Sequence, residues 1–565
     1  MHPTDPWQRR YEALRASFVD RSSAASVGAR FGFTPAYVNL LRHLFKTGKI
    51  DFGEPPAEGQ LARRVISPEI RDKIREWRKQ KLSAGDIAEL LSRDSIDISI
   101  RTIERVLAEE GFSRLPRRTA LQIGKTVDNA QVPPVATVLD CASRAGERFE
   151  SAGAGVFLFA PFLAQLDIVG IVADARLPGT KALPAANYLL SFIALKVLGN
   201  ERLAHVGDHA FDRGLGFFAG LNVLPKCTAM STYSYGLDEV HIHALQAAFM
   251  RKAIGLGLCD GKTVNLDFHS IPHFGDQSVL EKHWTGARNK GMKGALTLFA
   301  QDADTKLLLY TAADIRRSEA DDQVLAFVEF WKKVWRGNFP KLVFDSRFTS
   351  YKQLSQLNKS GIKFITLRRR GVSMLKKMEK LTDWKRIHIP HPKRKFPNPL
   401  VHESTITVTG YEGSLRQVIM KGNGHPKPTF LITNDFDMPV DQLAGDYARR
   451  WRVENGIAEA IKAFNLNALS SPILVKVHFD VVMTAIADAL YTMLARQLRG
   501  FEDCHAGKIS RLFVSNKAAI SIDKNCATIT FPRRAHNPIL RAVPWSSLPM
   551  QHPLDPAMKL QLEFE

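Results

Sequence analysis

The sequence predicts a multidomain α/β protein, with small helical units first, a helical middle and a strand-rich core. Three observations predict it. The chain has 565 residues, too many for one core. Capped segments with helical periodicity fill most of the chain up to about residue 258. From residue 263 short apolar runs bounded by polar turns take over, and three acidic residues sit among them where strands or a helix would present them.

The first 120 residues read as two helical units of helix-turn-helix type, 1–60 and 61–120. In the first, Ser22–Phe31 is a helix, Gly32-Phe33 a turn and Thr34–Phe45 a second helix. Thr34 is the N-cap and Pro35 the first helical residue. Val38, Leu41, Leu44 and Phe45 share one face, which leaves Asn39, Arg42 and Lys46 to point outward. In the second unit Ser67-Pro68 opens a helix through Gln80. Ser83 caps a short helix through Leu91, and Ser99 caps Ile100–Glu110. Arg101, Thr102 and Arg105 lie early on that last helix, where such motifs present side chains to base edges. Plain three-helix bundles share these patterns; two units in tandem on a basic chain favour DNA.

Residues 121–135 read as a linker, ending near Pro133-Pro134, and 136–258 as a helical domain. Val156–Val172 is the most apolar run. Pro161, Gln165 and Asp167 interrupt it, so a buried helix pair is expected rather than a membrane span. Residues 211–235 carry a helix-turn-helix pattern that ordinary packing around glycine turns would also give. The core is divided as 259–368 and 428–500, around an insertion at 369–427. Its first part reads β-β-β-α-β-α-β: Thr263–Phe268, a hairpin Ala295–Ala300 with Lys306–Ala312, a helix Ser318–Trp335, then Lys341–Phe344, Ser350–Ser360 and Lys363–Leu367. The second part holds a strand, Thr429–Thr433, and helices Tyr447–Phe464 and Asp480–Leu498. Residues 501–565 form a tail with a hairpin at Ala518–Phe531 and a conceivable part in multimerisation.

The net charge is +21. Such an excess favours a polyanionic partner. Between Lys363 and Lys427 there are 15 Lys and Arg against 4 Asp and Glu. Alternating runs at Arg386–Ile389, Thr405–Thr409 and Arg416–Met420 make that insertion a small β-rich platform suited to phosphate contacts. Five cysteines, at 141, 227, 259, 504 and 526, form no paired motif, which argues against a disulfide framework or a cysteine zinc site. The charged N-terminus has no apolar core, so no signal peptide is expected and a cytoplasmic location fits.

Asp267 closes the run Thr263-Val264-Asn265-Leu266, and Asp345 closes Lys341-Leu342-Val343-Phe344. Glu454 lies in the helix YARRWRVENGIAEAIKAF. Three carboxylates from two strand ends and a helix suit a pair of Mg²⁺ ions, and hence phosphodiester chemistry. Asp435 and Asp437 compete for the third position, with Glu459 an outsider. His269, His273 and Lys293 are weaker neighbours, a structural hydrogen bond being the simpler use of His269.

The strand order, with NLDFHSIP, KLVFDSRFTSY and YARRWRVENGIAEAIKAF at those points, resembles the ribonuclease H-like DDE transposases of bacterial insertion sequences. It is most similar to the class with a β-strand insertion before the Glu. That family's helix carries Tyr-x2-Arg-x3-Glu-x6-Lys. Tyr447, Arg450 and Glu454 fit it; Ile461 holds the last position and Lys462 comes one later.

The resemblance implies a ribonuclease H-like fold and a metal cluster of Asp267, Asp345 and Glu454, with two Mg²⁺ ions for which Mn²⁺ can substitute. It implies that activated water cuts DNA at the element's end and that the freed 3′-hydroxyl attacks target DNA. Arg450 would fork onto a phosphate, Tyr447 bond the backbone, and Lys462 or Arg449 reach a neighbouring phosphate. Lys393, Arg394 and Lys395 would grip DNA. Trp384 would stack on a flipped base or anchor the platform's core. The partners would be double-stranded DNA, as element ends and target, and a second copy of the chain, in a dimer or larger synaptic complex without a membrane. A nuclease that cuts without joining, or a transposase-derived regulator, are the other readings of the same features.

Overall fold

The structure is a computed structural model. It describes residues 6–48, 50, 66–80, 82–112, 133–140, 144–274, 280–285, 289–313, 315–348, 350–389, 395–424, 427–468, 471 and 473–565. Most of the linker, with Lys393 and Arg394, lies outside the described residues. The chain divides into two compact units, Met1–Ala130 and Gln131–Glu565.

In the N-terminal unit the first motif has three helices, α1 (Pro6–Phe18), α2 (Ala24–Phe31) and α3 (Pro35–Lys46). Ser23 and Thr34 cap α2 and α3 by accepting from the Ser26 and Tyr37 amides at 3.2 Å. Gly32 makes the turn at φ 70°, and Gly28 lets the turn close: a Cβ there would lie 2.6 Å from the Phe33 carbonyl oxygen. Ala13, Ala16, Val27, Phe31 and Val38 form the core. The sequence reading missed α1, because its buried face is built from small alanines with little apolar contrast. It also put Phe45 on the core face. The structure leaves Phe45 45% exposed, 5.2 Å from Phe18.

The second motif is α4 (Pro68–Lys79), α5 (Ala84–Arg93) and α6 (Ile100–Glu109). Ser83 and Asp86 form a reciprocal capping box, and Ser99 caps α6. Ile74, Ile87, Leu91, Ile103 and Val106 are completely buried at its centre.

The second unit begins with strand β1 (Arg148–Ser151). The apolar run then folds as a 3-10 segment, Ala154–Phe159, leading into α7 (Ala160–Gln165), with α8 (Ile168–Asp174) bent 60° away. Next come α9 (Ala185–Val197), α10 (Arg213–Phe218), α11 (Cys227–Tyr235) and α12 (Glu239–Gly255). The pair α10 and α11 buries Leu215, Phe217, Phe218, Met230 and Tyr233 in the common core, so the 211–235 pattern is helix packing.

Ten strands then form one mixed sheet: β2 (Thr263–Pro272), β3 (Lys282–Thr285), β4 (Lys290–Asp302), β5 (Leu308–Ala312), β6 (Lys341–Phe344), β7 (Phe364–Leu367), β8 (Lys385–Arg386), β9 (Leu400–Ile406), β10 (Leu415–Lys421) and β11 (Thr429–Thr433). Their order is β3-β4-β2-β6-β7-β11-β10-β9-β8, with β5 on β4. The β2–β6 and β6–β7 pairs are parallel and the others antiparallel. The basic segment is therefore no separate platform. Its strands extend the central sheet through β11, because antiparallel pairing lets a returning chain add strands one by one at an open edge. Leu400–Ile406 is the strand there, not Thr405–Thr409.

Helices α13 (Gln323–Val334), α14 (Tyr351–Lys359), α15 (Val372–Met378), α16 (Val440–Arg449), α17 (Trp451–Phe464) and α18 (Leu474–Gln497) complete this part. Helix α18 is long and apolar enough to cross a membrane, yet 83% of its most apolar window is buried inside the protein. It is buried on nearly every side rather than along one stripe. The last segment is folded too. Strands β12 (Ala518–Asp523), β13 (Cys526–Phe531), β14 (Gln551–His552) and β15 (Asp555–Phe564) join β1 in a five-stranded sheet of order β1-β12-β13-β15-β14. Its buried side chains belong to the main core.

Candidate active site

The centre of the sheet sets the site. Strands β2 and β6 run parallel with Leu266 opposite Phe344. The residue after each is an aspartate, so Asp267 and Asp345 come out side by side at one end of the parallel pair. Asp267 does not end its own strand. It sits where β6 stops, while β2 continues to Pro272 against β4. Asp345 ends β6, and its Oδ1 accepts the Ser346 amide.

One face of β2 carries Asn265, Asp267 and His269, as the two-residue repeat of a strand requires. All three reach elements of the helical segment that crosses the sheet. Asn265 Nδ2 donates to the Arg449 carbonyl at 3.5 Å, Asp267 Oδ2 lies 3.4 Å from Arg450 Nη1, and His269 Nε2 is 2.7 Å from Asn467 Oδ1. Glu454 stands in the first turn of α17, and its Oε1 is 2.5 Å from Arg450 Nη2. The guanidinium of Arg450 thus lies between the carboxylates of Asp267 and Glu454.

Tyr447–Phe464 is not the single helix expected from sequence. It breaks at Arg450, where the backbone tightens to three-residue bonds, Arg450 N to Tyr447 O at 3.1 Å and Val453 N to Arg450 O at 3.1 Å. The Arg450 guanidinium still lies 5.7 Å from the centre of the Tyr447 ring.

Burial governs the electrostatics of the site. Burial pushes the Asp267 carboxyl up to about 6; Arg450 opposes this, and the like charges of Glu454 and Asp345 add to it. Burial likewise raises the Tyr447 hydroxyl to about 12. Two polar atoms of Arg450, Nε and Nη1, are buried with no hydrogen-bond partner among the described residues. The sequence reading passed over Arg347, whose guanidinium acts electrostatically on both Asp267 and Asp345 and packs 5.0 Å from the Phe268 ring. Its position two residues after Asp345 was the available signal. Asn265 was also missed, although it precedes Asp267 by one strand repeat.

A groove of about 1640 Å³ opens on this site. It joins Asp345, Arg450 and Glu454 to Arg368, Arg369 and Lys395 of the basic segment. Arg449 borders the groove, but its guanidinium is engaged by Asp446 and, at 3.1 Å, by Asp304. Lys462 is exposed and lies 3.3 Å from Glu459. Trp384 donates to the Leu381 carbonyl at 2.8 Å, and Lys421 Nζ covers its ring at 3.6 Å. Asp435 and Asp437 follow β11, which runs against β7; they therefore sit at the end of the sheet away from Asp345. Asp435 lies 3.7 Å from Lys363 instead.

In the N-terminal unit Asn39, Arg101 and Arg105 are exposed. Arg42 does not point freely outward, since its guanidinium donates to the Ser22 carbonyl at 2.6 Å. Thr102 shares a 2.9 Å hydrogen bond with Ser99, and Arg105 lies 3.7 Å from Glu109.

A search of curated proteins found no match to this chain. Residues 255–488 match the family model described as Transposase DDE domain. The matched stretch contains Asp267, Asp345 and Glu454, and it supports a DDE transposase.

Proposed function

We propose that this protein is a DNA transposase with a ribonuclease H-like catalytic core and Asp267, Asp345 and Glu454 as its catalytic carboxylates. One observation carries the proposal. Two aspartates emerge side by side from adjacent parallel strands, and a glutamate from a crossing helix meets the same arginine as one of them, all inside the matched domain. The strand order β5-β4-β2-β6-β7, with its first three strands antiparallel and the last two parallel to β2, agrees with such a core.

The donor set is all carboxylate oxygen, which suits Mg²⁺ or a similar hard cation. The raised Asp267 carboxyl and the arginine already drawn between two acids both fit a site that takes up positive charge. Asp267, Asp345 and Glu454 would hold the ions. Bound there, two such ions would supply activation of the attacking oxygen and stabilisation of the leaving one.

The chain's own residues do the rest. Arg450 is the fork for a substrate phosphate, released from Glu454 as DNA enters. Arg368, Arg369 and Lys395 along the groove hold the backbone of the strand being cut. Asn265 and His269 fix β2 against the helical segment, so Asp267 keeps its place as charge shifts. The exposed faces of α3 and α6 read the element's end. Joining requires two ends to meet, which calls for at least two copies of the chain.

The test is a reaction of the full chain with Mg²⁺ and DNA carrying the ends that flank its gene. Nicked and joined products are expected. Nicking with no joined product would favour the nuclease reading, and specific binding with neither product would favour a regulator.

A further inference from the structure

We propose that Glu239, His243 and His478 bind one zinc-type divalent ion that ties α12 to α18, at a place distinct from the catalytic carboxylates. The ligand atoms of these three residues lie within 4.8 Å of one another. Glu239 Oε2 is 2.7 Å from His478 Nδ1 and 3.8 Å from His243 Nε2. Ligands of a tetrahedral zinc ion stand roughly 3.3 Å apart, given metal–ligand bonds of about 2 Å. An ion would therefore require the Glu239–His478 pair to widen by about 0.6 Å and the Glu239–His243 pair to close by about 0.5 Å. Glu239 and His243 lie four residues apart, on one face of α12.

The hydrogen bonding of His478 is the sharpest sign. Its Nε2 is 3.0 Å from the Thr311 carbonyl oxygen on β5. The same carbonyl accepts from Gln246 Nε2 at 3.1 Å, and Gln246 Oε1 accepts the Thr311 amide at 2.7 Å. A carbonyl only accepts, so the proton of His478 sits on Nε2. Neutral His478 then turns a bare Nδ1 lone pair toward a carboxylate oxygen 2.7 Å away. Two acceptors at that distance require a cation or a second proton between them. Backing of the outer nitrogen by a backbone carbonyl is the support that orients a metal-bound imidazole.

The surroundings favour the metal over the proton. The other oxygen of Glu239, Oε1, is buried with no hydrogen-bond partner among the described residues. His478 is buried, while the side chains of Glu239 and His243 are 35% and 47% exposed, which leaves a fourth position open to water. Two nitrogens and one oxygen select zinc, cobalt or nickel over magnesium. The Lys333 ammonium acts electrostatically on His243, and the Glu239 carboxylate on the Tyr310 hydroxyl. The consequence is mechanical: among the described residues β5 is an edge strand paired only with β4, and the ion would lock over it the two helices that already satisfy Thr311.

The test uses the full chain, stripped of metal and free of any affinity tag, in excess Mg²⁺. Zinc is titrated by calorimetry and Co²⁺ by its visible d–d absorption. One equivalent of each is expected, with a cobalt spectrum of the tetrahedral type and a higher melting temperature. His243→Ala changes only the most exposed ligand and should weaken zinc binding by more than about 100-fold while the protein stays folded. Glu239→Gln should do the same, and Asp267→Ala should leave zinc binding unchanged. The proposal is overturned if zinc fails to bind, if cobalt gives no such bands, or if His243→Ala and Glu239→Gln bind as the parent does.

Discussion

Arg450 Nη1 lies 3.4 Å from Asp267 Oδ2, and this contact joins the central strand to the break between α16 and α17. The arginine is the resident counter-charge of the site. Arg450→Gln should therefore push the Asp267 carboxyl above its present value of about 6. The alkaline limb of activity depends on other groups, but the acidic limb should move to higher pH. A pH–rate profile of strand cleavage checks it, and an unmoved acidic limb would separate Arg450 from Asp267.

The same carboxyl makes a stability prediction for metal-free protein. Its folded value is raised, so between about pH 4 and pH 6 the folded state holds a proton that the unfolded state has lost. Stability contributed by this site falls as pH rises through that window. Asp267→Asn should remove the loss and stabilise the protein at pH 7 by about 1–3 kcal/mol, with the gain vanishing below about pH 4. Urea unfolding at the two pH values measures it.

Removing a carboxylate should cost far more in chemistry than in binding. Asp345→Ala and Glu454→Ala are each expected to lower strand cleavage on the order of 10³-fold while DNA affinity stays within a few-fold. Single-turnover cleavage beside a binding titration decides it. Near-normal cleavage in either variant would remove that residue from the catalytic set.

Asp446 is almost completely buried and accepts Lys341 of β6 and Arg449 of α16. Replacing it by alanine leaves the Lys341 ammonium without its partner. Asp446→Ala should destabilise the second unit by roughly 3–5 kcal/mol. The loss should appear in denaturant unfolding. A change under about 1 kcal/mol would mean that Lys341 finds water instead.

In the N-terminal unit, exposure ranks the DNA-reading candidates. Arg101 is exposed, whereas Arg42 is held by the Ser22 carbonyl. Arg101→Ala should weaken binding to the element's end by about 1–3 kcal/mol and relax its sequence preference. Arg42→Ala should lower the melting temperature instead. Competition binding against unrelated DNA, at fixed salt, distinguishes the two effects.

Much of the site was legible because its signals are local. The apolar tetrads before Asp267 and Asp345 spell strands, and the periodicity from Trp451 to Phe464 spells the helix that carries Glu454. What stayed hidden depends on distant pairing. Nothing in Leu415–Lys421 says that it will join the sheet carrying Asp267, and nothing in Arg148–Ser151 announces its partner Ala518–Ser521. The break at Arg450 escaped notice because no glycine or proline marks it. Glu239 and His243 carry a readable helical spacing, but His478 joins them only through the tertiary fold.

The shared sheet also sets how force passes through the molecule. Strands β2 and β6, which bear the two aspartates, and β10 and β11, which line the basic groove, are rungs of one hydrogen-bonded ladder. A ladder of this kind twists as a whole and resists opening between adjacent rungs. The sheet side of the groove therefore behaves as a rigid anvil rather than as a closing jaw. On the proposed reading, the work of fitting falls on the nucleic acid: the duplex must bend or open to lay its scissile bond against Asp267 and Asp345, and ends that distort easily will be cut fastest.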